Sequence, residues 1–400
     1  SRPPDLRIEL SQLRPLQVGR VAAARESSVK RRLMPTCARK VRKRLVAGLT
    51  TVLGLAPFFA VSHLTRPQTE ETYPMNHSSQ LLGISNAIVD ILAHVDDEFI
   101  RRIGATTGAM NLIDQEQAAA IYELMGPATE MSGGSVANTV AGFANLGGSA
   151  AYIGHVHDDQ LGEIFNHDMR SLGVDIRLQP ATDGAPTARS YILITPDAQR
   201  TMNTYLGSCT ELGLADITPE TVATPKLILL EGSLWDIAEG PALARKVMDM
   251  AAGIGATVAL SLSDAYCVQR HRDSFAAAVR DGAHIVIADE NEINELLQTD
   301  SFDASLAKLD DYDNLFVMTR SEQGSVIVQG DETLVQPATP VEKVVDTTGA
   351  GDAYCAGFLY GWANEWTLQD CAKLGTHCAT RVIQQVGARI EPGLLESYSG

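Results

Sequence analysis

The sequence predicts an α/β fold, with a mostly parallel central sheet, helices on both faces and a small second β-sheet. Three observations carry this. Between residues 227 and 297 short apolar runs alternate with helical stretches, the pattern of successive βα units. Between 189 and 205 two strand-like runs flank the polar turn Pro196-Asp197-Ala198-Gln199, a hairpin signal inside the alternation. Near the C-terminus, Asp346-Thr347-Thr348-Gly349-Ala350-Gly351-Asp352 turns an extended polar segment into an apolar helix of small residues.

The elements follow in order. Residues 80–91 form an apolar run broken by Asn86 and Asp90, which suits a buried strand starting at 81–84 with Asp90 beyond its end. Residues 114–125 read as a helix with an acidic start. Ser132-Gly133-Gly134-Ser135-Val136-Ala137-Asn138 opens a second helix, and the two glycines bring backbone close to a ligand. This string lacks the order of a dinucleotide fingerprint. A strand at 150–154 and a helix at 159–171 precede the hairpin, which suggests a small added sheet that makes a lid, with lid strands contributed from about 91–113 and 187–206. Strands at 227–231, 257–262 and 284–288 are each followed by a helix, at 240–252, 272–281 and 290–297. Strands at 315–319 and 325–329 flank Gly324, and helices at 352–364 and 368–385 finish the chain.

Hydrophobic residues make up 45% and charged residues 20% of the 400, as in an ordinary globular enzyme. The net charge of −17 is unevenly spread: residues 1–74 carry +9 and residues 75–400 carry −26. An acidic body argues against a nucleic-acid surface, so any anionic ligand must be held locally. The six cysteines show no metal-type spacing, which predicts a reducing, cytoplasmic setting without disulfides. In the first 74 residues a basic flank and an apolar run at 45–61 resemble a signal or a marginal membrane anchor. Met75 stands just before the first convincing strand, and the preferred reading makes 1–74 an extension upstream of a unit spanning 75–400, with no membrane role expected.

The Asp346–Asp352 string carries the chemistry. The start of the following helix offers unpaired N–H groups and a positive dipole end, an anion site. A carboxylate at Asp352 could take a proton from an attacking hydroxyl while backbone amides hold a phosphoryl group. Alone, such a string is more often an ordinary helix cap.

With the Gly133-Gly134-Ser135-x-x-Asn138 segment and the hairpin upstream, however, the chain from 81 to about 393 resembles the ribokinase-like (PfkB) family of sugar and nucleoside kinases. The resemblance implies Asp352 as general base, with the amides of Gly349, Ala350 and Gly351 as anion hole and Arg200 closing from the lid. It implies that Asn86, Asp90, Gly133, Gly134, Ser135 and Asn138 hold the acceptor hydroxyls, and that Thr319, Gly324, Thr348, Gly349 and Gly351 line the ATP site. The family's Asn-x-x-Glu motif, linked to Mg²⁺, maps best onto Asp289 and Glu292, with Asp in the Asn place. Some members use K⁺ beside the anion hole, where Asp346 and Thr348 lie, and some dimerise through the lid. The segments at 86–91, 200–207 and 261–264 are most similar to bacterial adenosine-kinase-type members, so adenosine is the expected acceptor. A sugar is the runner-up, and a non-catalytic nucleoside-binding protein is the alternative of another class. Tyr266, Trp235 and Phe165 are candidates to stack on a base, against ordinary core roles.

Overall fold

The computed structural model describes residues 79–197 and 199–398. The basic segment, its apolar run, Met75 and Cys37 lie outside them. The chain enters through β1 (Leu81–Ile84), then crosses at Ser85-Asn86-Ala87 into a second sheet at β2 (Ile88–His94). Helix α1 (Asp97–Ile103), β3 (Met110–Leu112), α2 (Gln115–Leu124) and β4 (Thr129–Gly133) extend this excursion, and α3 (Ser135–Asn145) leads back to β5 (Ala150–Ile153). Next come α4 (Gln160–Ser171), β6 (Asp175–Ile176) and the hairpin β7 (Ala188–Ile194) and β8 (Arg200–Tyr205). Helix α5 (Pro219–Val222) precedes β9 (Leu227–Glu231), α6 (Gly240–Ile254), β10 (Thr257–Ser261), α7 (Ala265–Asp281), β11 (Ile285–Asp289), α8 (Glu290–Leu297) and α9 (Phe302–Leu306). Strands β12 (Leu315–Thr319), β13 (Ser325–Gln329) and β14 (Glu332–Gln336) are followed by α10 (Ala350–Ala363) and α11 (Leu368–Val382).

Among the described residues the main sheet has the order β14-β13-β12-β11-β10-β9-β1-β5-β6. It is parallel from β6 to β12 and antiparallel at its β13 and β14 edge. The second sheet has the order β3-β8-β7-β2-β4. Side chains alternate across each strand, so the main sheet feeds two cores. Leu81, Leu227, Leu229, Ala259, Ile285 and Val317 meet α3, α10 and α11 on one face. Leu82, Ile84, Ile228, Leu230, Val258, Leu260, Val286 and Phe316 meet α6, α7 and α8 on the other. Gly83 is the close-approach point: a Cβ there would run into Val136 and Val140 of α3.

The structure departs from the sequence reading in three ways. The single run at 80–91 is two strands in two sheets, so Asp90 lies within β2 of the second sheet rather than past the end of a main-sheet strand. Helix α7 starts at Ala265, seven residues early, because the Asp264 side chain caps it, accepting from Cys267 N–H at 2.7 Å. A break at His271 (φ −120°, ψ 21°) splits it, and its second part carries the clean helical period. Strands β4, β6 and β14 were not foreseen, since none alternates cleanly, nor were the short helices α1, α5 and α9.

Candidate active site

Both sheets deliver residues to one place because the crossings between them are adjacent. Asn86 follows β1, and Gly134, between β4 and α3, has φ +92° with its α-carbon against Asn86 O. No other residue type tolerates that approach at that φ. Gly133 is small for a different reason: a Cβ would occupy the place of the Asp90 carboxylate. The two glycines therefore let the β2 carboxylate and the β1 crossing share a corner.

Into this corner comes the first turn of α10. Gly349, with φ +74°, starts the helix. Ser135 Oγ donates to Asp352 Oδ1 at 2.7 Å and Asn138 Nδ2 to Oδ2 at 2.9 Å, while Thr139 Oγ1 donates to the Asp352 carbonyl at 3.2 Å. Residues more than 200 positions apart are thus joined in one hydrogen-bonded set. Burial pushes the Asp352 carboxyl above its ordinary value, against the pull of Ser135, Asn138 and the Arg389 charge. Asp90 is raised to about 7 by burial and by Asp352, with Arg389 and Arg200 opposing. Of the three expected anion-hole amides, Ala350 N–H is turned onto Thr347 O at 3.2 Å. Gly351 is exposed beside open space, which leaves room for a phosphoryl group at the helix start.

Arg200 crosses from β8 to the motif itself. Its guanidinium donates to Thr348 Oγ1 at 2.7 Å and pairs with Asp346. The buried Asp346 also accepts from Thr348 N–H and Gly387 N–H, each at 2.8 Å. Its negative charge is met by Arg200, so a K⁺ ion held here would share the carboxylate with that guanidinium. Asp289 and Glu292 form a capping box at the start of α8, each side chain accepting from the other's N–H at 2.8 Å. Burial and the Asp289 charge push Glu292 up to about 8. Each side chain keeps one oxygen outside the box, where a hydrated Mg²⁺ completed by phosphate oxygens would have to displace the proton that burial keeps on Glu292. Asp289 pairs in register with Thr319 of β12. Gly324 (φ +88°) packs its α-carbon against the backbone of Gln336 to Ala338, so its glycine answers to chain packing.

Two site residues escaped the sequence reading. Glu231 closes the apolar strand β9; its Oε1 accepts from Ser233 Oγ at 2.5 Å, and Ser233 Oγ accepts from Asn86 Nδ2 at 3.1 Å. Burial raises it to about 7 against the Ser233 and Ser85 hydroxyls. A lone acid ending an apolar strand was the available signal. Arg389 had none. Asn86 Oδ1 and Asn138 Oδ1 are buried without a partner, acceptors that suit a hydroxyl-rich ligand. Trp235 stacks on Phe275 and Phe165 is buried against Tyr152, so both are core, whereas Tyr266 is exposed.

A family model described as pfkB family carbohydrate kinase matches residues 103–393. The chain belongs to that family. It is a phosphotransferase, and the ribokinase-like architecture follows. The chain is similar to the crystal structure of adenosine kinase from Sinorhizobium meliloti, at 46% identity and TM-score 0.75, over 80% of this chain and 98% of that one. It is similar to a probable sugar kinase protein from Rhizobium etli CFN 42, at 44% identity and TM-score 0.76, with the same coverage. By sequence, 5-dehydro-2-deoxygluconokinase of Clostridium perfringens is 24% identical over 262 residues, 63% of this pfkB-family chain and 78% of that protein. No helix of the described residues is long and apolar enough to cross a membrane.

Proposed function

We propose that the protein transfers the γ-phosphoryl group of ATP to the 5′-hydroxyl of adenosine, giving AMP and ADP. The observation that carries the chemistry is the Asp352 carboxylate, oriented by Ser135 and Asn138 at the open start of α10. Asp352 takes the proton of the acceptor hydroxyl as its oxygen forms the bond to phosphorus and the bond to the ADP oxygen breaks. Amides at Gly349 and Gly351 meet the charge on the transferring group. Mg²⁺, held through Asp289 and Glu292, would neutralise phosphate charge. Arg200 supplies a fixed positive charge beside Thr348 and ties the second sheet to the motif. Asp90, Asn86, Asn138 and Glu231 present acceptors to the ribose hydroxyls; a polar site of this kind rejects acceptors that lack them.

Adenosine as acceptor is supported by the 46% identity to the Sinorhizobium meliloti adenosine kinase. A sugar acceptor is the second reading, favoured by the probable sugar kinase at 44% identity and by a site whose polar groups address hydroxyls rather than a base. A non-catalytic binding role is disfavoured by the poised Asp352. An ADP-coupled assay over adenosine, other nucleosides, ribose, fructose and 5-dehydro-2-deoxygluconate decides among these. Turnover of a sugar without adenosine would end the substrate reading. Asp352→Asn should lower turnover by about 10²–10⁴-fold while nucleoside binding persists, the usual worth of a general base. Preserved turnover would remove Asp352 from that role. Exchanging K⁺ for Na⁺ at equal ionic strength should leave the rate unchanged; a K⁺-dependent rate would mean that a cation is held despite Arg200.

A further inference from the structure

After α11 the chain passes across the site, and three consecutive residues each meet a different part of it. Gly387 N–H donates to Asp346 Oδ2 at 2.8 Å. Ala388 lies against Gly349, so closely that a Cβ on Gly349 would overlap it. Arg389 reaches the opposite way, to residues 132–138 between β4 and the first turn of α3, the acceptor loop. Its Nη1 donates to Ala137 O at 3.0 Å, and its Nη2 donates to Ser132 O at 2.7 Å and Ser132 Oγ at 2.8 Å. Ser132 N–H in turn donates to Asp168 Oδ2 of α4 at 2.9 Å. The backbone N–H, carbonyl and hydroxyl of Ser132 are all held, immediately before Gly133 and Gly134.

The strap is fastened at both ends. Ile383 O accepts from Val345 N–H at 2.8 Å and Asp346 N–H at 3.3 Å, and Ile390 O accepts from Asn145 Nδ2 of α3 at 2.7 Å. The charge also has a purpose beyond anchorage. A guanidinium enclosed by protein is costly unless acids face it. Asp90 on β2, Asp168 on α4 and Asp352 on α10 do so, and the neutral Tyr152 hydroxyl of β5 also faces it. Around these, Arg200 faces Asp90 and Glu231 faces Asp352.

We propose that Gly387-Ala388-Arg389 is a strap coupling the two halves of the site, with Arg389 as the positioning residue that fixes the acceptor loop and its carboxylates against the phosphate-side motif. The proposal rests on the reading of Asp352 as the base. The fork of Arg389 sets where Gly133, Ser135 and Asn138 stand, and hence where Asp90 and Asp352 point. Its charge keeps those carboxylates ionised at lower pH than they would otherwise be.

The test compares the full chain with Arg389→Met and Arg389→Lys, measuring kcat and both KM values against pH with whichever acceptor the wild type phosphorylates. Arg389→Met should raise the acceptor KM and lower kcat about tenfold or more while the ATP KM stays within about twofold, because the acceptor loop alone loses its anchor. Its acid limb should move up by about one pH unit, since a base without its cation holds its proton longer. Arg389→Lys should keep the limb and still show the raised acceptor KM, because an ammonium keeps the charge and loses the fork. An unchanged limb and unchanged acceptor KM in Arg389→Met, with only the melting temperature lowered, would overturn the proposal. Should Arg389→Met fail to fold, a wild-type acceptor KM in Arg389→Lys overturns it equally. A wild type that phosphorylates a sugar and not adenosine ends the substrate reading and leaves this test in force.

Discussion

Asp90, Glu231 and Glu292 share a condition set by burial: the native state raises them to about 7, 7 and 8 from 3.8, 4.5 and 4.5. Each still holds its proton in a pH range where the unfolded chain has released it. Their contribution to stability is therefore full below the ordinary carboxylate range and is lost as pH rises to about 7–8. Glu231, 5% exposed, is the clearest case. Glu231→Gln should leave stability near that of the wild type at about pH 5 and raise it at about pH 8, by on the order of 1–2 kcal/mol, with acceptor binding weakened. Urea titrations at the two pH values check this, and equal changes at both would contradict it. Asp90, Asn138 and Asp352 could be named from the sequence because each stands in or beside a short motif. Glu231 and Arg389 could not. Their significance comes from what they face, and sequence distance hides that.

At the scale of elements, the start of α10 is a tightly constrained junction. Gly349 is left-handed and pressed against Ala388, so a methyl group there is penalised twice, by φ and by collision. Gly349→Ala should lower turnover by about 10²-fold or more and stability by about 1–3 kcal/mol, measured by steady-state kinetics and urea unfolding. A wild-type rate would show that the helix start can shift without misplacing its amides. The alternation from β9 to α8 was legible because buried parallel strands read as apolar runs and the intervening helices keep their period. The crossing inside 80–91 was not, because hydrophobicity does not say which sheet a strand joins. The α7 start was masked by the His271 break.

For the whole molecule, the described hydrogen bonding of the sheet begins at the edge of β1. Lys226 N–H donates to Ser79 O at 3.2 Å and Gln80 N–H to Ser149 O at 2.9 Å. We propose that residues 1–74 are an extension to a kinase unit that starts near Met75. A protein beginning at Met75 should match the full chain in melting temperature and turnover; a lower value of either would assign the extension a part in folding or catalysis. The sequence by itself determined the reaction class and the βα architecture. Glycine spacing, a helix start and an acid in its first turn act over a few residues, and local physics can be read locally. Only the tertiary structure decided that Asp352 is oriented by Ser135 and Asn138, that Arg200 meets Asp346, and that Arg389 binds the acceptor loop. Those contacts join residues about 150–250 positions apart, and two packed cores, not local preference, bring such residues together.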